Sequence, residues 1–220
     1  MRWLPLESNP DVLNKYLEKL GVPDKWKFSD VIGLDENSLN TVPKPVLAVM
    51  LLFPRSQIAE EQKIGKETPK DEVYLVHQTA ENACGTVAVL NALVNVHQVL
   101  KPKAGSYLEK FIEKTKKMSP KERGHAMEND EELFKMHDDL AKEGQSQAPN
   151  RESDTQQHFV SFIEHGGHLY ELDGRREHPV LHGNATADSL LQEAGKAISH
   201  FVKRDSSNIK FSVLALCAHS

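Results

Sequence analysis

Gln78-Thr-Ala-Glu-Asn-Ala-Cys-Gly-Thr86 is the stretch from which the fold is read. An apolar run, Val73-Tyr-Leu-Val76, leads into it, and a small helix-compatible run, Val87-Ala-Val-Leu-Asn-Ala-Leu-Val94, leads out. The pattern predicts a strand over residues 73–77, a loop, and a helix from Cys84 to about His97. A cysteine then stands where the loop turns into the helix. Backbone N–H groups at a helix start favour negative charge, so a thiol placed there gives up its proton more readily. Gln78 lies at the end of the expected strand, where its side-chain N–H can meet an oxyanion. The backbone N–H of Cys84 is a natural second donor. Gly85, with no side chain, leaves room for a substrate.

A thiol nucleophile needs a base, and a second stretch supplies one. Residues 159–165 and 168–173 read as a hairpin about Gly166-Gly167. A two-residue turn pairs His165 with His168 and therefore sets Val160 opposite Asp173. His158, two residues before Val160, becomes the diagonal neighbour of Asp173 on one face of the ribbon. Such neighbours have Cβ atoms roughly 7–8 Å apart, within reach of an imidazole and a carboxylate. A slip of one residue would send them to opposite faces. His158 is thus the expected proton acceptor and Asp173 the group that orients its ring.

Each of these residues has a plainer reading alone. A lone cysteine before a helix is usually a small buried hydrophobe. The chain has 11 histidines, most of which belong on the surface. Asp173 before Gly174 suits a turn, and Gln78 suits a strand end. Gln, Cys, His and Asp together in that order are much harder to obtain by accident. His165 and His168 flank the tight turn without a third ligand nearby in sequence and read as surface turn residues; no metal or cofactor is called for.

Outward from these motifs, Asn9 or Asp11 caps a first helix that has Pro10 near its start and Gly21 past its end. Residues 28–34 suggest a short strand. Residues 46–53 form a continuous apolar run, as in a strand buried on both faces. Residues 56–70 suggest a short helix and a loop, and residues 107–142 two or three helices. Ser119-Pro-Lys-Glu122 makes a capping box within them. Residues 188–203 form an amphipathic helix, and residues 210–217 a last strand. Residues 144–157 contain a single apolar residue besides Pro149 and read as a long exposed loop, of the kind that serves as a lid.

With 220 residues, 39% of them hydrophobic, the chain suits one domain over residues 1–220. A formal net charge of −5 excludes a basic nucleic-acid face and mildly favours positively charged partners. No apolar run reaches membrane-spanning length, and Met1-Arg-Trp-Leu-Pro5 lacks a signal-peptide core. Two cysteines point to a reducing compartment, the cytoplasm, rather than a disulfide framework. Cys217-Ala-His-Ser220 has the outline of a prenylation box, but Cys217 also continues the apolar run of the last strand. Trp3, Leu4 and Leu6 are either packed on the body or an exposed patch for a partner.

These motifs together resemble the short, single-domain members of the ubiquitin carboxy-terminal hydrolases, a family of cysteine deubiquitinases. Asn82-Ala-Cys-Gly-Thr86 is similar to the family's nucleophile motif, with Gln78 at its spacing. His158-Phe159 and His168-Leu-Tyr-Glu-Leu-Asp-Gly174 are similar to its histidine and aspartate motifs. Arg2-Trp-Leu-Pro-Leu-Glu7, Met118-Ser-Pro120 and Lys210-Phe-Ser212 also match, so the likeness runs from the N-terminus to Cys217. The resemblance implies a papain-like α/β fold: a mostly antiparallel sheet of about six strands flanked by helices, with a knotted chain path. It implies cleavage after the terminal glycine of ubiquitin through a thioester on Cys84, with Gln78, His158 and Asp173 as oxyanion donor, base and orienter. It makes residues 144–157 a crossover loop that limits the leaving group to small adducts or short peptides. It places ubiquitin against Pro5, Leu6, Glu7, Ser8, Asn9 and Pro10, and against Phe211 and Ser212. The alternative is a module that binds and stabilises ubiquitin with little turnover.

Overall fold

The computed structural model describes residues 2–143, 156–205 and 210–219. The chain begins with α1 (Pro10–Leu20), β1 (Trp26–Asp30), α2 (Glu36–Asn40), β2 (Val46–Pro54), α3 (Gln57–Glu61) and β3 (Lys66–Glu67). A helical segment follows: α4 (Cys84–Asn95), α5 (His97–Leu100), α6 (Tyr107–Thr115), α7 (Pro120–Glu128) and α8 (Glu131–Glu143). The chain then returns to the sheet with β4 (Gln157–His165), β5 (His168–Leu172), β6 (Val180–Asn184), α9 (Leu190–Arg204) and β7 (Ser212–Ala218).

The strands form one sheet in the order β1-β7-β2-β4-β5-β6-β3, and every pair is antiparallel. Seven strands stand against the expected six or so; β6 and the two-residue edge β3, which lies in a polar stretch, are not among the strands expected from the sequence. Central β2 explains its unbroken apolar run. Ala48, Met50 and Leu52 join the core on the α4 side, while Val49, Leu51 and Phe53 join the core on the α9 side. Each fully buried Leu or Phe contributes roughly 1.5–3 kcal/mol relative to exposure. Every residue of α4 from Cys84 to Val94 is buried, as expected of a helix that is apolar all round. Among the described residues no helix is long and apolar enough to cross a membrane.

Where the chemistry is short-ranged, the structure follows the local sequence signals. Asn9, rather than Asp11, caps α1, its side chain accepting from the Asp11 N–H at 2.9 Å. Ser119 and Glu122 form the capping box of α7. Gly166 and Gly167 take φ of 58° and 84°, the turn that pairs His165 with His168 and Ser161 with Leu172.

Two strand assignments need correction. Residues 73–77 form no strand and join no sheet: Val73 lies in a bend and residues 74–77 have no regular secondary structure. Their backbone groups are taken by side chains and loops instead. Asn95 accepts from Tyr74 N–H and donates to Tyr74 C=O, at 2.9 and 2.7 Å. Asn91 accepts from Val76 N–H at 2.7 Å, and Arg123 donates to Leu75 C=O at 3.1 Å. The other strand covers Trp26–Asp30 rather than residues 28–34. Asn14 of α1 bonds both backbone groups of Phe28 along its free edge, and Ile32 is 81% exposed beyond its end. Cys217 is fully buried in β7, in line with the strand reading of that residue.

Candidate active site

Cys84 is the first residue of α4, and Ala83 before it provides no side-chain cap. The first-turn N–H groups therefore remain available to a negative charge. The preceding turn is held in an uncommon shape. Asn82 has φ of 61°, is buried, and donates from Nδ2 to Trp3 C=O at 3.2 Å. Trp3 N–H in turn donates to Glu81 C=O at 3.2 Å. Two residues on, Thr86 Oγ1 lies 2.8 Å from both Tyr16 Oη and His137 Nδ1, and His137 Nε2 bonds Leu4 C=O. Trp3 and Leu4 are thus packed on the body, and they pin the nucleophile's turn from outside.

His158 enters from the second residue of β4 and Asp173 from the end of β5. His158 Nε2 is 2.6 Å from Asp173 Oδ1, so the diagonal neighbours read from the hairpin do meet. Asp173 Oδ1 also accepts the Arg175 N–H at 2.9 Å, and Arg176 Nε stands 3.9 Å from Oδ2. Phe53 meets the His158 ring edge to face, centroids 5.7 Å apart. With Nε2 committed to Asp173, Nδ1 is the atom left for the thiol. Nδ1 is buried and meets no partner in ordinary hydrogen-bond geometry, yet ring and thiol perturb each other's protonation. A ring nitrogen so placed is free to take up the thiol proton or a tighter bond once substrate is bound.

The electrostatics favour a charge-separated pair. Burial alone pushes the Cys84 thiol up. The neighbouring His158, the Phe159 N–H and the charge of Arg175 outweigh it and bring the thiol below its ordinary value. Burial alone depresses His158; Asp173, by charge and hydrogen bond, more than reverses this and raises the ring to about 9. Burial raises Asp173, but His158, the Arg175 N–H and Arg176 hold it below the usual carboxylate range. Thiolate, imidazolium and carboxylate are the mutually stabilising set.

Gln78 is half-buried. Its backbone N–H donates to Gly174 C=O at 2.7 Å, which ties the strip before the nucleophile to the turn after Asp173. A Cβ on Gly174 would lie 2.6 Å from Val87 Cγ1, so only glycine lets this turn approach α4. The Gln78 side chain donates one N–H to Ala80 C=O at 3.0 Å, and an amide nitrogen has a second.

The remaining sequence-derived positions fall into place differently. Leu6 is buried, with its side chain 3.1 Å from where a Cβ of Gly85 would stand. The space at Gly85 is therefore filled by Leu6 and is not open to a substrate, which corrects that reading. Pro5, Glu7, Ser8, Asn9 and Pro10 are half-buried, as are Phe211 and Ser212. Ser8 Oγ and Ser212 Oγ lie 2.7 Å apart and join the two terminal segments. The loop expected over residues 144–157 lies outside the described residues up to position 155. His165 and His168 flank their turn, with His168 Nδ1 3.0 Å from Gly166 C=O. Sequence reasoning missed Asn82, Thr86, His137, Arg175 and Phe53. Only Arg175 had a local signal, the Asp-Gly-Arg turn, whose backbone N–H commonly caps the preceding Asp side chain.

Comparison with known proteins places the chain in a family. Residues 3–203 match the family described as ubiquitin carboxyl-terminal hydrolase, family 1. A ubiquitin carboxyl-terminal hydrolase of Aplysia californica is 44% identical over 206 residues, covering 93% of this chain and 96% of its own. Isozyme L1 of Rattus norvegicus is 41% identical over 225 residues, covering 99% of both chains. Among solved structures, the catalytic domain of Trichinella spiralis UCH37, bound to ubiquitin vinyl methyl ester, superposes with a TM-score of 0.83. That match covers 100% of this chain and 97% of the other at 24% identity, a likeness of fold. With its papain-like sheet and helices and a match over nearly the whole length, this chain belongs to the ubiquitin carboxyl-terminal hydrolase family 1.

Proposed function

We propose that this chain is a thiol hydrolase that cleaves the bond after the C-terminal glycine of ubiquitin and releases small adducts or short peptides. The observation that carries the reading is a cysteine at an uncapped helix start, electrostatically coupled to a histidine whose far nitrogen is 2.6 Å from a carboxylate.

The chemistry follows from the charges. The Cys84 thiolate attacks the glycine carbonyl, and its electron pair forms the C–S bond while the carbonyl π pair moves onto oxygen. The Cys84 N–H and the second N–H of Gln78 stabilise that oxygen. As the tetrahedral species collapses, His158 gives its proton to the departing amine and a thioester remains. His158, now neutral, takes a proton from water, which attacks the thioester and frees the ubiquitin carboxylate. Asp173 holds the ring in one orientation throughout and stabilises its charged form.

Ubiquitin as partner is supported by its relatives, which are ubiquitin carboxyl-terminal hydrolases, and by a modestly acidic chain of net charge −5, suited to a basic, extended tail. Pro5, Glu7, Ser8, Asn9 and Pro10, with Phe211 and Ser212, make the contact surface, joined through Ser8 and Ser212. Residues 144–157 act as the filter on leaving-group size, the chain works as one domain, and its place is the cytoplasm.

The test is a ubiquitin substrate carrying a small fluorescent amide at its C-terminus. Turnover by the wild type and none by Cys84→Ala is the expected result. Tight ubiquitin binding without turnover in the wild type would convert the enzyme into a binding module.

A further inference from the structure

His158 and Asp173 line more than the nucleophile's site. They also border a cavity of about 210 Å³ enclosed by the end of β2, by α3 with the turn after it, and by α9. Phe53, Ile64 and Phe201 form its apolar wall. Arg55, Lys63, Arg175, Arg176 and Arg204 bring five cationic side chains to it, against the two acids Glu171 and Asp173.

Both acids are already engaged by histidines. Glu171 Oε2 is 2.6 Å from His182 Nε2, and Asp173 Oδ1 is 2.6 Å from His158 Nε2. Arg176 stands 3.9 Å from Glu67 and 3.9 Å from Asp173, beyond hydrogen-bond reach of either. Arg204 donates from Nη1 to Gln62 C=O at 2.9 Å and Ala59 C=O at 3.3 Å, and lies over the Phe201 ring at 4.9 Å. Its Nε is buried and meets no hydrogen-bond partner among the described residues. The charges of Glu171 and the adjoining Asp205 also act on Arg204. Among the described residues the cavity thus combines an apolar wall, more cationic than acidic side chains, and an Arg204 N–H with no hydrogen-bond partner.

We propose that this cavity binds a small organic anion, a carboxylate or phosphate group on a short apolar body, beside His158. The oxygens accept from the guanidinium groups, whose forked donors suit such anions, while the apolar body lies against Phe53, Ile64 and Phe201. Two sources can present this chemistry: an acidic leaving group joined to the scissile carbonyl, or a free small molecule. Only the first source rests on the hydrolase reading above.

Isotope-labelled full-length protein titrated with inorganic phosphate and, separately, with glutarate tests this at constant ionic strength, with chloride as control. The Arg204 Nε–H and the His158 ring signals shift saturably with phosphate or glutarate and not with chloride. Lys63→Gln, at an exposed position, weakens binding about threefold, and Arg204→Gln weakens it about tenfold. A second arm compares kcat/KM for ubiquitin extended by Glu or by Gln. A Glu preference of about threefold to tenfold that shrinks in Lys63→Gln identifies the leaving group as the source, with or without saturation by the free anions. Saturable binding with equal rates identifies a free anion. Non-saturating shifts that match chloride, together with equal rates, overturn the proposal, as does saturable binding indifferent to both substitutions. Should neither extended substrate turn over, the hydrolase reading fails while the titration still decides the site.

Discussion

His158 Nε2 lies 2.6 Å from Asp173 Oδ1, and both residues are almost sealed from water, at 3% and 7% exposure. A buried histidine would ordinarily titrate low; this one is raised to about 9 by Asp173. The plot of kcat/KM against pH is therefore expected to be bell-shaped. It falls on the acid side as the thiolate of Cys84 is protonated, and on the alkaline side as the pair loses its imidazolium proton through about 9. Asp173→Asn moves the alkaline limb down toward the ordinary histidine value of about 6.5. It lowers the plateau by less than the roughly 10²–10⁴-fold expected of His158→Ala. The sign for stability is the same. A raised histidine contributes fully below about 6.5, and that contribution is lost as pH rises through about 9. The lowered Cys84 thiol acts with the opposite sign over the same window, so melting temperatures should stay nearly flat in the wild type, fall in Cys84→Ala where no thiol offsets the histidine, and flatten again once Asp173→Asn is added. An alkaline limb unmoved in the variant would remove Asp173 from its role.

The two cysteines should separate cleanly in reactivity. Cys217 is fully buried in β7, and burial pushes its thiol up. Cys84 retains 8% exposure and a lowered pKa. Iodoacetamide near pH 7 is expected to modify Cys84 at least tenfold faster than Cys217, since the thiolate is the nucleophile. Peptide mapping by mass spectrometry reads this directly, and equal labelling would contradict the charge-separated pair.

Some of the site is encoded by neighbouring residues and some by distant ones. The meeting of His158 and Asp173 is encoded locally: two glycines at positive φ set a register, and the register sets the faces. Cys84 at the start of α4 is likewise a matter of neighbouring residues. Residues 73–77 look like a strand because they are mostly apolar and of strand-favouring types. What makes a strand is a partner, and here the partner is a pair of asparagines two and three turns along α4. Apolar pattern carries no information on which donor completes a backbone. The same limit hid His137, whose bonds to Thr86 and Leu4 span the fold.

That substitution of side chains for a strand can be measured. Asn95 bonds both the N–H and the C=O of Tyr74. Asn95→Ala leaves both groups without partners in a partly buried setting, which costs about 1–3 kcal/mol. Chemical denaturation should show this loss, with kcat changed less than by substitution at Gln78. A stability change below about 0.5 kcal/mol would mean water replaces the asparagine freely.

Gln78 poses a question of donor supply. Its amide gives one N–H to Ala80 C=O at 3.0 Å, and that bond aims the group rather than exhausting it. Gln78→Ala removes one of the two oxyanion donors and is expected to lower kcat about 10²–10³-fold with little change in KM. Gln78→Glu keeps the size but offers an acceptor where a donor is needed, and should be at least as damaging. Single-turnover acylation measured at fixed pH separates this from product release. A loss below about threefold in Gln78→Ala would leave the oxyanion to the helix start alone.

Ser8 and Ser212 sit 204 residues apart in sequence, yet their hydroxyls lie 2.7 Å from each other. The bond closes the N-terminal segment, which packs on Gly85 through Leu6, against the start of β7, which adjoins β2. Both residues remain half-buried, so the joined pair presents a continuous surface to a partner. If ubiquitin rests there, a bulky cation at position 212 spoils the surface without touching Cys84, His158 or Asp173. Ser212→Arg should therefore raise KM for a ubiquitin amide about tenfold, leave kcat within about twofold, and spare the rate of thiol alkylation. Ser8→Ala, which removes only the hydroxyl, should cost about 0.5–1.5 kcal/mol of stability and little binding. An unchanged KM in Ser212→Arg would place ubiquitin elsewhere, while a fall in kcat at constant KM would show that the terminal segments shape the catalytic turn rather than the docking face.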